Sequence, residues 1–150
     1  CSSMGGWIGL LIAKQLGSRV KGLVGIAAAP DFTDHVWNIE MTQPQRDLCT
    51  QQGYITTPDG DTLTLKLLQD GAHHLIFDKP LNLPHPITLL HGKYDDVVPY
   101  QTAKKLANYI TSPFAPEVII MEDGDHRLST DRDLHTLSNI IHSMIIRSAM

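Results

Sequence analysis

Cys1-Ser2-Ser3-Met4-Gly5-Gly6-Trp7 opens the chain and sets Ser3 two residues before a glycine pair, with the apolar run Trp7 to Ala13 behind it. A sharp strand-to-helix turn that presents a serine hydroxyl is crowded, so small residues belong on both sides of it. Trp7, Ile8, Leu10, Leu11, Ile12, Ala13 and Leu16 predict a helix over Met4 to Leu16 that is buried on more than one face. Lys14 and Gln15 form its narrow wet edge, and Gly17 its C-terminal cap. Gly5, Gly6 and Gly9 are expected to let the helix backbone approach a strand closely. Taken alone, Ser2 or Ser3 before an apolar helix also fits a simple helix cap.

Working outward, Val20 to Ala29 is a short continuous apolar run ended by Pro30, and Pro86 to His91 and Glu117 to Met121 read the same way. Such runs suit strands covered on both faces, as in a parallel sheet. Between the last two lies a helical pattern over Tyr100 to Ile110, with Ala103, Leu106, Ala107 and Ile110 at helical spacing. A last helix is predicted from Asp131 to Arg147, burying Leu134, Leu137, Ile140, Ile141, Met144 and Ile145. Strand and helix in alternation predict βαβ units, an α/β fold with a mainly parallel sheet and flanking helices.

Residues 31 to 85 interrupt that rhythm. The stretch is polar, rich in Gln from Gln43 to Gln52, and too long for a simple connection. Pro58-Asp59-Gly60-Asp61 lies between Tyr54-Ile55-Thr56-Thr57 and Thr62-Leu63-Thr64-Leu65, which predicts a small hairpin. A short helix is expected over Lys66 to Ile76, and the whole stretch reads as a small cap inserted over the edge of the sheet.

The 150 residues can bury one ordinary core. A net charge of −4 without a Lys/Arg cluster argues against nucleic acid and against an anionic membrane surface as partners. No apolar stretch is long enough to span a bilayer. Cys1 and Cys49 are too few for a disulfide framework and favour a reducing compartment. The cytoplasm is therefore expected, or the mitochondrion if a leader precedes Cys1. With no initiator Met before Cys1, the chain is expected to be a processed or partial one.

Three residues could share one chemistry. A serine hydroxyl needs a base within reach, a group to orient that base, and donors for the oxyanion. Ser3 is the candidate nucleophile, with the Met4 backbone N–H as one oxyanion donor at the start of the helix. Asp95 follows the strand ending at His91, in His91-Gly92-Lys93-Tyr94-Asp95-Asp96-Val97-Val98-Pro99. In open α/β sheets, ligand chemistry gathers at the carboxyl ends of the strands. Asp96 is the alternative acid, and a solvated turn is the plain alternative for both. His126, in Gly124-Asp125-His126-Arg127, follows the strand ending at Met121 and would take the serine's proton while Asp95 orients it. Ser, Asp and His thus occur in the chain order of an α/β-hydrolase, each after its own predicted strand. Cys1 departs from G-x-S-x-G by standing where the first glycine belongs, with strain or a narrowed pocket as the expected consequence.

Other side chains offer less. His73 and His74 are adjacent and diverge on a helix, while His85 and His91 lie near strand ends without ligands at zinc-like spacing, so no metal site is expected. Cys49 is expected to be a packing residue. Trp7, Trp37, Phe32 and Phe77 read as core or cap packing before they read as an acyl pocket, so no substrate-binding residue is assigned.

The segments SSMGGW, AHH, LLHGKYDDVVPY and GDHRLS closely resemble the small α/β-hydrolases that include mitochondrial acyl-protein thioesterases and acyl-glucuronide esterases and their bacterial relatives. The likeness spans nearly the whole chain, cap included. It implies the C-terminal part of an α/β-hydrolase fold, with the N-terminal strands and the second oxyanion loop lying outside these residues. It implies Ser3 as nucleophile, Asp95 as acid and Asp125-His126-Arg127 as the segment of the base. It further implies hydrolysis of ester or thioester bonds of acylated small molecules or acylated proteins, without a cofactor. His73 and His74 match paired histidines of that family's cap. A different bond cleaved by the same triad (amide or carbon–carbon) and a non-catalytic binding protein of the same fold are the competing readings; oligomeric state is left open.

Overall fold

The structure, a computed structural model, describes residues 1–57 and 60–148. Two compact units account for the chain, one formed by residues 1–30 with 77–150 and the other by residues 31–76.

The first unit is built on a three-stranded parallel sheet. Its strands are β1 (Leu23–Ile26), β5 (Ile87–Gly92) and β7 (Glu117–Met121), in the order β1-β5-β7. All six residues of β5 are buried, as a strand flanked on both sides and covered on both faces requires. Ser2 bridges Ile26 in parallel, so the chain leading into the serine turn runs alongside β1. Strand β1 is shorter than the apolar run predicts, because Ala27 turns to φ 45° and ends the extended backbone. A separate two-residue parallel ladder joins β4 (Leu81–Asn82) to β6 (Ile110–Thr111). Residues 81–85, placed in the insertion from sequence, thus group with the sheet unit.

Helices α1 (Met4–Leu16), α5 (Gln101–Tyr109) and α6 (Asp131–Ser148) complete this unit. Helix α1 has the predicted bounds, but it is buried along one stripe only: Gly6, Trp7, Leu10 and Ala13. Met4, Ile8, Ile12 and Leu16, spaced four apart, are exposed apolar residues. Helix α6 differs likewise from expectation. Leu137 and Ile140 pack against a core of Leu90, Met121 and Leu128, whereas Leu134, Ile141 and Ile145 are exposed.

The second unit has its own small core of Met41, Cys49 and Leu68, against which Trp37, Ile55 and Leu63 pack. The predicted hairpin is β2 (Tyr54–Thr56) against β3 (Thr62–Thr64). Of its expected turn, Pro58 and Asp59 lie outside the described residues. Helix α4 runs over Leu65–Gly71, shorter than predicted. Helices α2 (Phe32–His35) and α3 (Gln43–Gln52), with a π turn at Val36–Glu40 after α2, were not foreseen. Their signal was local: Thr42 and Gln45 form a capping box, Pro44 sits in the first turn, and Gly53 caps the other end at φ 86°. The Ile76 N–H donates to Asp31 Oδ1 at 2.8 Å, joining the two ends of the unit.

Candidate active site

The serine turn is held by backbone. Ser3 adopts φ 51°, ψ −124°, a conformation that costs a non-glycine residue on the order of 1–3 kcal/mol and persists only where its surroundings enforce it. Here its N–H donates to Ile26 O at 2.9 Å, and its C=O accepts from Gly6 N at 2.8 Å and Ala29 N at 3.1 Å. The glycines divide the work unequally. A Cβ on Gly6 would lie 2.6 Å from Ala28 Cβ, and one on Gly9 2.7 Å from Cys1 Sγ, but one on Gly5 would meet nothing within 4 Å. The expected close approach therefore belongs to Gly6 and Gly9, not Gly5. Cys1, the departure from the usual first glycine, is accommodated over the bare backbone of Gly9. Met4 begins α1, so its N–H has no helical carbonyl to donate to.

Asp95 lies on the loop after β5 with its side chain fully buried, while Asp96 is exposed. Asp95 Oδ1 accepts from the N–H groups of Val97 (2.9 Å) and Val98 (2.7 Å). His126 lies on the loop after β7. Asp125 Oδ1 shapes that loop by accepting from the N–H groups of Arg127 and Leu128, both at 2.9 Å, and Leu128 takes φ 47°.

The two loops are pressed together through glycine. A Cβ on Gly92 would lie 2.3 Å from Asp125 O and 2.5 Å from Gly124 C, and one on Gly124 would lie 3.0 Å from Gly92 Cα. Backbone bonds from Lys93 N to Met121 O and from Tyr94 N to Gly124 O, each 2.9 Å, stitch the same contact. Lys93 also pairs with Glu122, whose hydrogen bond and charge hold the ammonium above its ordinary value.

Ser3, His126 and Asp95 meet at this rim. His126 Nε2 is 3.1 Å from Ser3 Oγ, and its Nδ1 is 2.8 Å from Asp95 Oδ2. A carboxylate only accepts, so Nδ1 carries the proton and Nε2 is left to accept the serine O–H. The imidazole remains partly open, at 21% side-chain exposure.

The remaining candidates lie elsewhere. His73 and His74 are exposed in the second unit, with His74 Nε2 3.6 Å from Asp70 Oδ2. Among the described residues no group of three His, Cys, Asp or Glu side chains is arranged to hold a metal ion. Trp7 is buried under α1, Trp37 packs in the second unit's core, and Phe77 makes an edge contact with Tyr109 at 4.9 Å. Cys49 is fully buried, and that burial pushes its thiol up from the ordinary value near 9.0. A cavity of about 690 Å³ opens at the opposite edge, by the amino ends of β5 and β7 and along α6, and contains none of the three rim residues. Among the described residues no helix is long and apolar enough to cross a membrane. Sequence reasoning missed His91, Gly92 and Gly124 as parts of the site. The signal for His91 was its position four residues before Asp95.

No family model matches the chain. It is 29% identical to the mouse protein named palmitoyl-protein thioesterase ABHD10, mitochondrial, over 155 aligned residues that cover 96% of this chain and 50% of that one. Among solved structures, a hydrolase from Agrobacterium vitis S4 matches with 32% identity and a TM-score of 0.88, over 96% of this chain and 59% of the other. Mouse alpha/beta hydrolase domain-containing protein 10 matches with 29% identity and a TM-score of 0.86, over 97% and 60%. The chain spans about half the length of the mouse thioesterase. With its parallel sheet, its strained serine turn and these likenesses along nearly all of its length, the chain has the α/β-hydrolase fold over the part it spans and is similar to these hydrolases.

Proposed function

We propose that this chain carries the Ser3–His126–Asp95 triad of a hydrolase acting on acyl esters or thioesters. The observation that supports it is the unbroken hydrogen-bond path from Ser3 Oγ through the imidazole to a buried carboxylate. The names of the similar proteins, among them a palmitoyl-protein thioesterase, favour an acylated protein or small molecule as substrate.

In this reading Ser3 Oγ attacks the acyl carbonyl carbon as its proton passes to His126 Nε2. Asp95 stabilises the imidazolium through Nδ1–H. Negative charge collects on the carbonyl oxygen, and the Met4 N–H is one donor for it. Collapse expels the thiolate or alkoxide, which takes the proton from His126, and leaves the acyl group on Ser3. Water, deprotonated by the same imidazole, then releases the carboxylic acid and restores the serine. The chemistry needs no cofactor.

Folds of this kind take a second oxyanion donor from a loop that precedes the nucleophile. Only Cys1 and Ser2 precede Ser3 here, and the similar proteins are about twice as long. The 150 residues correspond to about half the length of the similar proteins, and we read them as the C-terminal part of such a domain. The mitochondrial naming of the relatives favours the organelle over the cytoplasm expected from cysteine content. The competing non-catalytic reading draws mild support from Cys1, whose sulfur sits over the bare backbone of Gly9.

The test is labelling with a fluorophosphonate in the protein that contains these residues. An adduct is expected on Ser3, with loss of both labelling and ester turnover in Ser3→Ala. Turnover that survives Ser3→Ala would overturn the reading.

A further inference from the structure

His91 lies at this rim, and the triad does not use it. It lies in β5 with its side chain fully buried. Its Nε2 is 2.9 Å from Val98 O and 3.0 Å from Asp95 Oδ2, and its Nδ1 is buried without a hydrogen-bond partner.

Both neighbours of Nε2 are acceptors, so Nε2 carries the proton: it donates to Val98 O and lies beside Asp95 Oδ2. The partnerless Nδ1 then holds a bare lone pair. The Asp95 carboxylate thus accepts three hydrogen bonds, from the N–H groups of Val97 and Val98 on Oδ1 and from His126 on Oδ2, and has His91 Nε2 3.0 Å from Oδ2 as a close buried polar contact. Only His91 among them reaches the acid from the rigid central strand. It also holds the carbonyl of Val98, whose own N–H donates to the same carboxylate. Strand, acid and loop therefore close into one ring of polar contacts.

We propose that His91 is a positioning residue that locks the Asp95 carboxylate with Oδ2 aimed at His126. This rests on the triad reading above, and it adds a second histidine that acts on the acid rather than on substrate. Loss of the lock frees the carboxylate to turn and leaves the imidazole without a fixed tautomer. The expected effect is the loss of the hydrogen bond that fixes Val98 and of the buried contact at Oδ2, about tenfold in kcat with KM little changed.

The test compares His91→Met, which fills the space without a donor, with His91→Gln, whose Nε2 amide donates from a similar reach. Two readouts are taken: kcat and KM on a thioester, and the downfield proton resonance of His126 Nδ1–H. The expected result is that Met lowers kcat and broadens or shifts the resonance, while Gln restores most of both. Equal kcat and an unmoved resonance in the two variants would overturn the proposal. So would equal damage in both, because that follows from lost packing alone. The resonance needs no turnover, so the lock can stand even if Ser3→Ala shows that the hydrolase reading has failed.

Discussion

Gly92→Ala probes whether the acid and the base are held together by backbone contact. The added methyl would sit 2.3 Å from Asp125 O and 2.5 Å from both Gly124 C and Gly124 O, all main-chain atoms that no rotamer change can move. Ordinary contact for such a carbon begins near 3.4 Å. The loop bearing Asp95 and the loop bearing His126 must therefore part by about 1 Å, a displacement that costs roughly a hundredfold in rate when it falls on reacting groups. The 2.8 Å bond from His126 Nδ1 to Asp95 Oδ2 spans that gap, so it stretches beyond hydrogen-bond length. Overpacking of this kind also costs about 1–3 kcal/mol of stability. The measurements are kcat on an acyl thioester and the thermal midpoint, taken beside Gly5→Ala. At Gly5 a methyl meets nothing within 4 Å, and the gain in helix propensity is worth up to about 1 kcal/mol. A Gly92→Ala protein with turnover and midpoint unchanged would refute the idea that backbone contact sets the distance between acid and base.

The remaining expectations are simpler. Asp95→Asn should lower kcat by about ten-thousandfold by favouring the wrong imidazole tautomer, whereas Asp96→Asn, at an exposed position, should change it little; the reverse ranking in steady-state kinetics would move the acid to Asp96. Native protein treated with iodoacetamide near neutral pH should be alkylated at exposed Cys1 and spared at buried Cys49, as read by peptide mass mapping. Burial raises the folded-state value of the Cys49 thiol, so its contribution to stability is complete below the ordinary 9.0 and declines as pH rises above it, since the unfolded chain loses the proton first. Melts at rising alkaline pH should show a decline in the wild type that Cys49→Ala lessens.

Each part of the rim follows a strong local signal in the sequence. Helix α1 and strand β7 have the bounds that periodicity assigns, and Ser3, Asp95 and His126 each stand just past an apolar run. Helix α3 was missed because it buries Cys49 alone; on a helix that covers so little, capping chemistry was the only sign. The β4–β6 ladder is two residues long and leaves no period to detect. Periodicity also cannot say whether an apolar residue has a neighbour, and so it counted Ile8, Ile12, Ile141 and Ile145 as buried. His91 read as an ordinary residue of a buried strand, because its partner reaches it only after the chain turns at Gly92.

Cys1 and Gly9 behave as a single steric unit: the sulfur occupies the volume that a side chain at position 9 would need. Variation at either site is then constrained by the other. A homologue with glycine at the first position is free to carry alanine at the ninth, while one that keeps cysteine is not. The pair explains how a turn that ordinarily demands glycine tolerates a thiol, and it makes the double substitution Cys1→Gly with Gly9→Ala a milder change than Gly9→Ala by itself.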